Sequence, residues 1–136
     1  MDQIVLTWKG FFGTRTSIPD ELRRWPGLYL IEYNSEILYV GKAETEGAFK
    51  RAKDHFRGQG DSTGRWILQG RDEAQIRIWV AARSWDELIS NAEKLLIFRL
   101  NPCANINHID KYDGKPLRII NEGKYPTRLD KQIESP

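Results

Sequence analysis

The stretch PGLYLIEYNSEILYVGK, residues 26–42, decides the fold of this chain. Its two halves are rich in aromatic and aliphatic residues, and Asn34 and Ser35 between them are typical of a tight turn, so the stretch predicts a β-hairpin. Each half carries a glycine that allows close approach of a backbone or a phosphate, and a phenol that can donate, accept or lose a proton. Ordinary aromatic packing would explain the tyrosines equally well. These residues are Gly27, Tyr29, Tyr39 and Gly41.

The composition indicates one globular domain without a membrane-spanning segment. The chain has 136 residues, of which 40% are hydrophobic and 29% charged, and its net charge is +2. No apolar run reaches the roughly eighteen residues of a spanning helix, and residues 1–6 include an acid where a secretory signal needs bases. We therefore expect an intracellular, cytoplasmic protein. The small net charge neither requires nor excludes a nucleic-acid partner, because phosphates are neutralised locally.

Basic residues cluster from the end of the hairpin through a helix predicted from about residue 48 to residue 57. Arg51 and His55 are four positions apart, so they share a helix face that points away from the apolar stripe. Acidic residues are interleaved with the basic ones. The cluster is therefore explained either by a surface that binds nucleic acid or by an ordinary solvated helix face. The basic residues are Lys42, Lys50, Arg51, Lys53 and Arg57.

The remaining patterns predict both helices and strands. Residues 75–81 alternate as in a strand with one buried face, and Ser84 with Glu87 forms a capping box before a long helix. A short helix is predicted to begin at Ser17, and the glycine-rich residues 58–64 are predicted to form a flexible loop.

Glu93 is anomalous, because it lies within the apolar arc of the long helix, between Ile97 and Leu100. A buried, isolated carboxylate is costly, so it must be paired, protonated or bound to a metal. One interpretation is a salt bridge with an arginine, or a position at the edge of the core. The other is a ligand for Mg²⁺, which tolerates a single carboxylate because it keeps water and phosphate oxygens as further ligands.

Taken in order, these elements resemble the GIY-YIG nuclease family over about residues 26–107. Besides the hairpin, the resemblance rests on FKRAKDH at residues 49–55, on Glu93, and on NPCAN at residues 101–105. It implies an α/β (α+β) fold in which a small three-stranded antiparallel sheet is flanked by helices. It also implies a metal-dependent DNA endonuclease that uses Mg²⁺ or Mn²⁺.

The resemblance further implies catalytic roles. Tyr29 would be the general base or would position the attacking water, and Tyr39 would hydrogen-bond in the same site. Arg51 would stabilise the scissile phosphate, His55 could accept the phenol proton, and Glu93 would bind the metal. Because an ordinary tyrosine has a pKa of about 10, the charges of Arg51 and the metal are expected to lower the pKa of Tyr29.

Further positions are implied for substrate binding and support. Asn105 would brace the site, and Asn107 is an alternative for this role. The expected substrate-binding residues are Lys42, Gly27, Gly41 and Lys50.

The resemblance also suggests a division of the chain and a partner. We expect a nuclease domain at residues 26–108, an N-terminal extension at residues 1–25, and a tail at residues 109–136 that packs on the domain or binds substrate or a partner. The expected substrate is double-stranded DNA, and a homodimer would allow both strands to be cut. The alternatives are a non-catalytic nucleic-acid-binding module, a nuclease acting on RNA or single strands, and an interaction domain in which Glu93 is structural.

Overall fold

Two β-sheets and three α-helices make up the part of the chain that this computed structural model describes, residues 1–58 and 60–136. Gln59, within the loop predicted at residues 58–64, lies outside the described residues. The strands are β1 (Asp2–Lys9), β2 (Phe11–Phe12), β3 (Gly27–Tyr33), β4 (Glu36–Ala43), β5 (Arg77–Ala82), β6 (Leu117–Lys124) and β7 (Gln132–Glu134). The helices are α1 (Ala48–Asp54), α2 (Ser62–Leu68) and α3 (Glu87–Leu100).

The predicted hairpin is present as β3 and β4. Its turn residues Asn34 and Ser35 have φ angles of 49° and 65°. Positive φ at both central residues is the mark of a type I′ turn, whose twist matches that of the flanking strands. On its other side β3 pairs with β5, so β3 is a central strand and β4 lies at the edge.

The prediction of a single three-stranded antiparallel sheet is wrong. The described residues form a four-stranded antiparallel sheet of order β2-β5-β3-β4, which we call the core sheet, and a three-stranded mixed sheet of order β1-β6-β7, the flanking sheet. Gly10, with φ of 89°, separates β1 from β2 and lets consecutive residues join different sheets. Strand β2 has only two residues, too few to produce an alternating pattern.

The flanking sheet joins the two ends of the chain. Strands β1 and β6 are parallel, with Asp2 opposite Leu117. The indole nitrogen of Trp8 donates to Oδ1 of the buried Asn121 at 2.9 Å, which fixes the two strands side by side. Much of the segment after residue 108 therefore packs on the N-terminal strand. The division into residues 1–25, 26–108 and 109–136 stays a prediction.

Apolar side chains cover both faces of the core sheet. On one face they pack with α3 and the flanking sheet, and on the other with α1 and α2. Trp79 of β5 is only 7% exposed, so the prediction that this strand buries a single face is wrong. A central strand between two layers of packing has no solvent face.

Two predicted helix starts are also wrong. Helix α3 is capped by Asp86, whose Oδ1 accepts from the backbone N–H of Leu88 at 2.9 Å, and not by Ser84. The helix predicted at Ser17 is only a 3₁₀ turn over Asp20–Leu22. Among the described residues, no helix has the length and apolarity needed to cross a membrane.

Candidate active site

Tyr29 crosses the backbone of its partner strand at Gly41. The two residues are directly opposite each other in the β3–β4 pair. A Cβ at position 41 would collide with Cζ and Oη of Tyr29. Gly27 has φ of 138°, and a Cβ there would collide with the carbonyl oxygen of Ala81. Both glycines thus make room for protein atoms; that they also contact substrate stays a prediction.

A hydrogen-bonded triad leads away from Tyr29, in which the tyrosine and the histidine are buried and the aspartate is half-exposed. Its hydroxyl lies 2.7 Å from Nε2 of His55, and Nδ1 of His55 lies 2.7 Å from Oδ2 of Asp61. His55 directly follows α1 and is 2% exposed. Asp61 is the N-cap of α2, where its second oxygen accepts from the backbone N–H of Gly64 at 2.8 Å. We call this arrangement the Tyr29–His55–Asp61 triad.

Sequence reasoning missed Asp61. Aspartate before Ser62 and Thr63 is a recognisable helix start, but Asp61 was placed in the loop predicted at residues 58–64. The cap could have been predicted from this local pattern. Its contact with His55 could not, because it depends on the path by which the loop returns to the end of α1.

Tyr39 and Arg51 lie beside the triad. Tyr39 is opposite Ile31, so it is diagonal to Tyr29, and the centroid of its ring is 6.1 Å from that of Tyr29 and 5.2 Å from that of His55. The Arg51 side chain is 46% exposed, and its Nε is 3.8 Å from Oε1 of Glu46. A guanidinium so loosely paired can bind an incoming phosphate.

Near neutral pH the tyrosine and the histidine of the triad are both uncharged. Burial raises the pKa of Tyr29 well above its usual value, and Arg51 lowers it by less. Arg51 thus lowers the Tyr29 pKa as predicted, but burial outweighs it and the net pKa is raised. The predicted contribution of a bound metal stays a prediction. Burial also lowers the pKa of His55, against the opposing charge of Asp61. If Tyr29 acts as a base, its own proton must therefore pass to His55 through the hydrogen bond that joins them.

Glu93 lies on the other face of β4. Its side chain is 15% exposed, and its Oε1 is 3.9 Å from Nζ of Lys42, which also donates to Oγ of Ser90 at 2.7 Å. Burial raises the pKa of Glu93 to about 7, although Lys42 works to lower it. Glu93 is therefore at the edge of the core with a lysine nearby, whereas the pairing considered from sequence was with an arginine.

The donor set around Glu93 fits a hydrated hard cation. No cluster of three or more His, Cys, Asp or Glu that could hold a metal occurs in residues 1–58 and 60–136. One half-desolvated carboxylate is enough for Mg²⁺, which keeps water and phosphate oxygens in its coordination shell. A cation would also offset the burial that disfavours the Glu93 charge.

The two halves of the site meet across the edge strand. Side chains alternate along β4, so Tyr39 faces α1 while Lys42 faces α3. The charge of Glu93 still raises the pKa of both Tyr29 and Tyr39. The structure thus places Tyr29, Tyr39, Arg51 and His55 on the α1 side of β4, and Glu93 on the α3 side of the same strand.

Asn105 braces this edge from outside. Its side-chain oxygen accepts from the backbone N–H of Val40 at 2.9 Å, and its side-chain nitrogen donates to the Val40 carbonyl at 3.0 Å. Asn107 is exposed. Lys50 donates to Asp54 at 2.9 Å within α1, and a substrate contact for Lys50 stays a prediction.

Asn105→Ala is expected to reduce stability by about 1–3 kcal/mol, because two hydrogen bonds to the backbone of Val40 are lost. Asn107→Ala is the matched control and should change stability by about 0.5 kcal/mol or less. Urea denaturation of both variants checks this. Equal effects would show that the Asn105 contacts do not hold β4.

Comparison with known proteins gives structural neighbours. No family model and no curated protein matches the chain. Among solved structures, it is similar to the GIY-YIG N-terminal endonuclease domain of UvrC from Thermotoga maritima bound to its catalytic divalent cation, magnesium, with 18% identity over 65% of this chain and 100% of that chain and a TM-score of 0.48. A tyrosine-to-phenylalanine mutant of the same domain matches at 16% identity over 66% of this chain and 100% of that chain, with a TM-score of 0.48.

Proposed function

We propose that this protein is a metal-dependent endonuclease that hydrolyses phosphodiester bonds in double-stranded DNA. The observation that carries the proposal is the Tyr29–His55–Asp61 triad next to the exposed guanidinium of Arg51. Glu93 supplies the carboxylate for a divalent cation across the edge strand. The motifs that resemble the GIY-YIG family support the same conclusion.

In the proposed reaction Arg51 binds the scissile phosphate and stabilises the charge that develops on it. The Tyr29 oxygen accepts a proton from the attacking water as its own proton passes to Nε2 of His55, 2.7 Å away. This route needs no free phenolate, which burial disfavours. Tyr39 lies beside both rings and positions the water.

Glu93 would hold Mg²⁺ or Mn²⁺, and the bound ion would supply Lewis-acid stabilisation of the leaving 3′ oxygen. Lys42, which lies between Glu93 and Ser90, would contact the phosphate backbone. Duplex DNA is proposed as the substrate from the GIY-YIG resemblance. The phosphate contacts read no base, so sequence preference is left to other surfaces. A homodimer would place one site on each strand.

A digestion series tests the proposal. Supercoiled plasmid, linear duplex, single-stranded DNA, branched DNA and RNA are each incubated with the protein in Mg²⁺, Mn²⁺ or EDTA. We expect nicked and linear plasmid with Mg²⁺ or Mn²⁺ and no product with EDTA or with Glu93→Gln. DNA retention without cleavage would favour a binding module. Faster cleavage of RNA or single strands would overturn the duplex assignment.

A further inference from the structure

We infer that Asp61 is a positioning residue that fixes the tautomer of His55, so that Nδ1 carries the proton and Nε2 accepts the proton of Tyr29. The tautomer follows from the two hydrogen-bond contacts of the ring together with an ionised Asp61 and a neutral His55. Its consequence for cleavage rests on the function proposed above.

The first argument is the hydrogen-bonding capacity of each group. An ionised carboxylate can only accept, so the 2.7 Å contact between Oδ2 of Asp61 and Nδ1 of His55 requires a proton on Nδ1. In a neutral imidazole Nε2 then has a free lone pair. The Tyr29 hydroxyl at 2.7 Å must therefore be the donor to Nε2.

The second argument is that the loop before α2 is folded around His55. The backbone N–H of Asp61 donates to the His55 carbonyl at 3.3 Å. A Cβ at Gly64 would collide with that carbonyl oxygen, and one at Gly60 would lie 2.7 Å from it. The close approach of these glycines places the Asp61 carboxylate beside the ring.

The structural alternative is that Asp61 is only a helix cap. Its Oδ1 does cap α2 through Gly64, yet its Oδ2 is used separately, on a buried ring. Asp86 is a helix cap without a contact to the triad. Its Oδ1 caps α3 in the same way, but its Oδ2 accepts from Arg83 at 2.9 Å. Asp86 is therefore a matched control for capping.

The expected role follows from the proton balance of the proposed reaction. As the water oxygen bonds to phosphorus, one water proton moves to the Tyr29 oxygen and the Tyr29 proton moves to Nε2 of His55. The leaving 3′ oxygen departs with the electrons of the broken P–O bond and takes a proton from solvent. The His55 imidazolium formed in this step is stabilised by the Asp61 carboxylate. The titratable groups that face His55 are Tyr29, Tyr39, Arg51, Asp54 and Asp61.

Asp61→Asn tests the inference with little change in shape. Because Gly64 still needs an acceptor, the Asn oxygen keeps the cap and its amide nitrogen faces Nδ1, which moves the ring proton to Nε2. Long-range ¹H–¹⁵N NMR correlations of the substrate-free protein report this tautomer. The chain has 2 histidines, so His108→Gln assigns the His55 signals.

We expect the Nδ1–H tautomer in the wild type and the Nε2–H tautomer in Asp61→Asn. We also expect kcat of Asp61→Asn to fall by about 100-fold or more at unchanged KM, as when a catalytic histidine loses its orienting carboxylate. Asp86→Asn should change neither the tautomer nor kcat. An Nε2–H tautomer in the wild type, or an unchanged tautomer and kcat in Asp61→Asn, would overturn the inference. A wild type that shows the Nδ1–H tautomer but cleaves no nucleic acid would refute the proposed function and leave the tautomer assignment supported.

Discussion

Tyr29→Phe is expected to reduce the rate of DNA cleavage by about 10²–10⁴-fold, the range typical of losing a general base. The phenyl ring still fills the space above Gly41, so the packing that positions the hairpin is kept. The lost hydroxyl removes the proton acceptor for water and the donor to Nε2 of His55. Single-turnover cleavage at saturating protein measures the rate, and DNA-binding affinity should stay within about two-fold.

Tyr33→Phe is the matched control for this change. Tyr33 lies on the same strand, but its hydroxyl makes a long contact, 3.5 Å, with the backbone N–H of Asp72, away from His55. We expect this variant to cleave at the wild-type rate. If Tyr29→Phe also kept that rate, Tyr29 would be part of the packing and not of the chemistry.

Glu93→Gln is expected to abolish cleavage and, without divalent ions, to stabilise the protein at neutral and alkaline pH. Burial raises the pKa of Glu93 from 4.5 to about 7, so the folded state holds this proton more tightly than the unfolded state. As pH rises from about 4.5 to about 7, the unfolded state releases the proton first and the wild type loses stability. Glutamine stays neutral, so the variant should be more stable above pH 7 by up to about 3 kcal/mol.

Urea denaturation of wild type and variant between pH 4 and pH 9, in EDTA, measures this difference. The two curves should agree below pH 4.5, where Glu93 is protonated in both states, and separate as pH rises. Glu87→Gln is the control, because Glu87 lies on the same helix but is exposed. A Glu93→Gln variant less stable than wild type at pH 8 would mean that the pairing with Lys42 outweighs burial.

Mg²⁺ should change the difference in stability between the wild type and Glu93→Gln. A cation that binds the native carboxylate stabilises the folded wild type by mass action. The melting temperature of the wild type should therefore rise with Mg²⁺ at pH 8 and rise less at pH 6, where a proton competes for Glu93. Equal shifts in wild type and Glu93→Gln would place the ion elsewhere.

The parts of the fold that could be predicted are those encoded by local pattern. The hairpin of residues 26–42 needs only its turn and flanking residues, and α1 follows from its apolar spacing. Glu93 stood out because a charge within an apolar helix face needs an explanation. These local signals were enough to single out the hydroxyl, guanidinium and carboxylate groups now found on the two sides of β4.

The parts that could not be predicted depend on long-range contacts. The flanking sheet pairs residues from opposite ends of the chain, as Asp2 with Leu117, and no local pattern specifies such a parallel partner. The same holds for Asp61, whose cap is local but whose contact with His55 is tertiary. The net rise in the Tyr29 pKa also depends on how deeply the layers bury the ring, which residue types alone do not determine.

The contact between Asn105 and Val40 has a consequence for self-association. An edge strand with unpaired backbone groups is a template on which a second chain can add a strand, and proteins commonly block such edges. Here the amide of Asn105 occupies both hydrogen-bonding groups of Val40, as a neighbouring strand would. The strand that carries Tyr39 and Lys42 is thereby closed at its middle to another copy of the chain. A dimer that cuts both DNA strands would therefore have to form without adding a strand at the middle of β4.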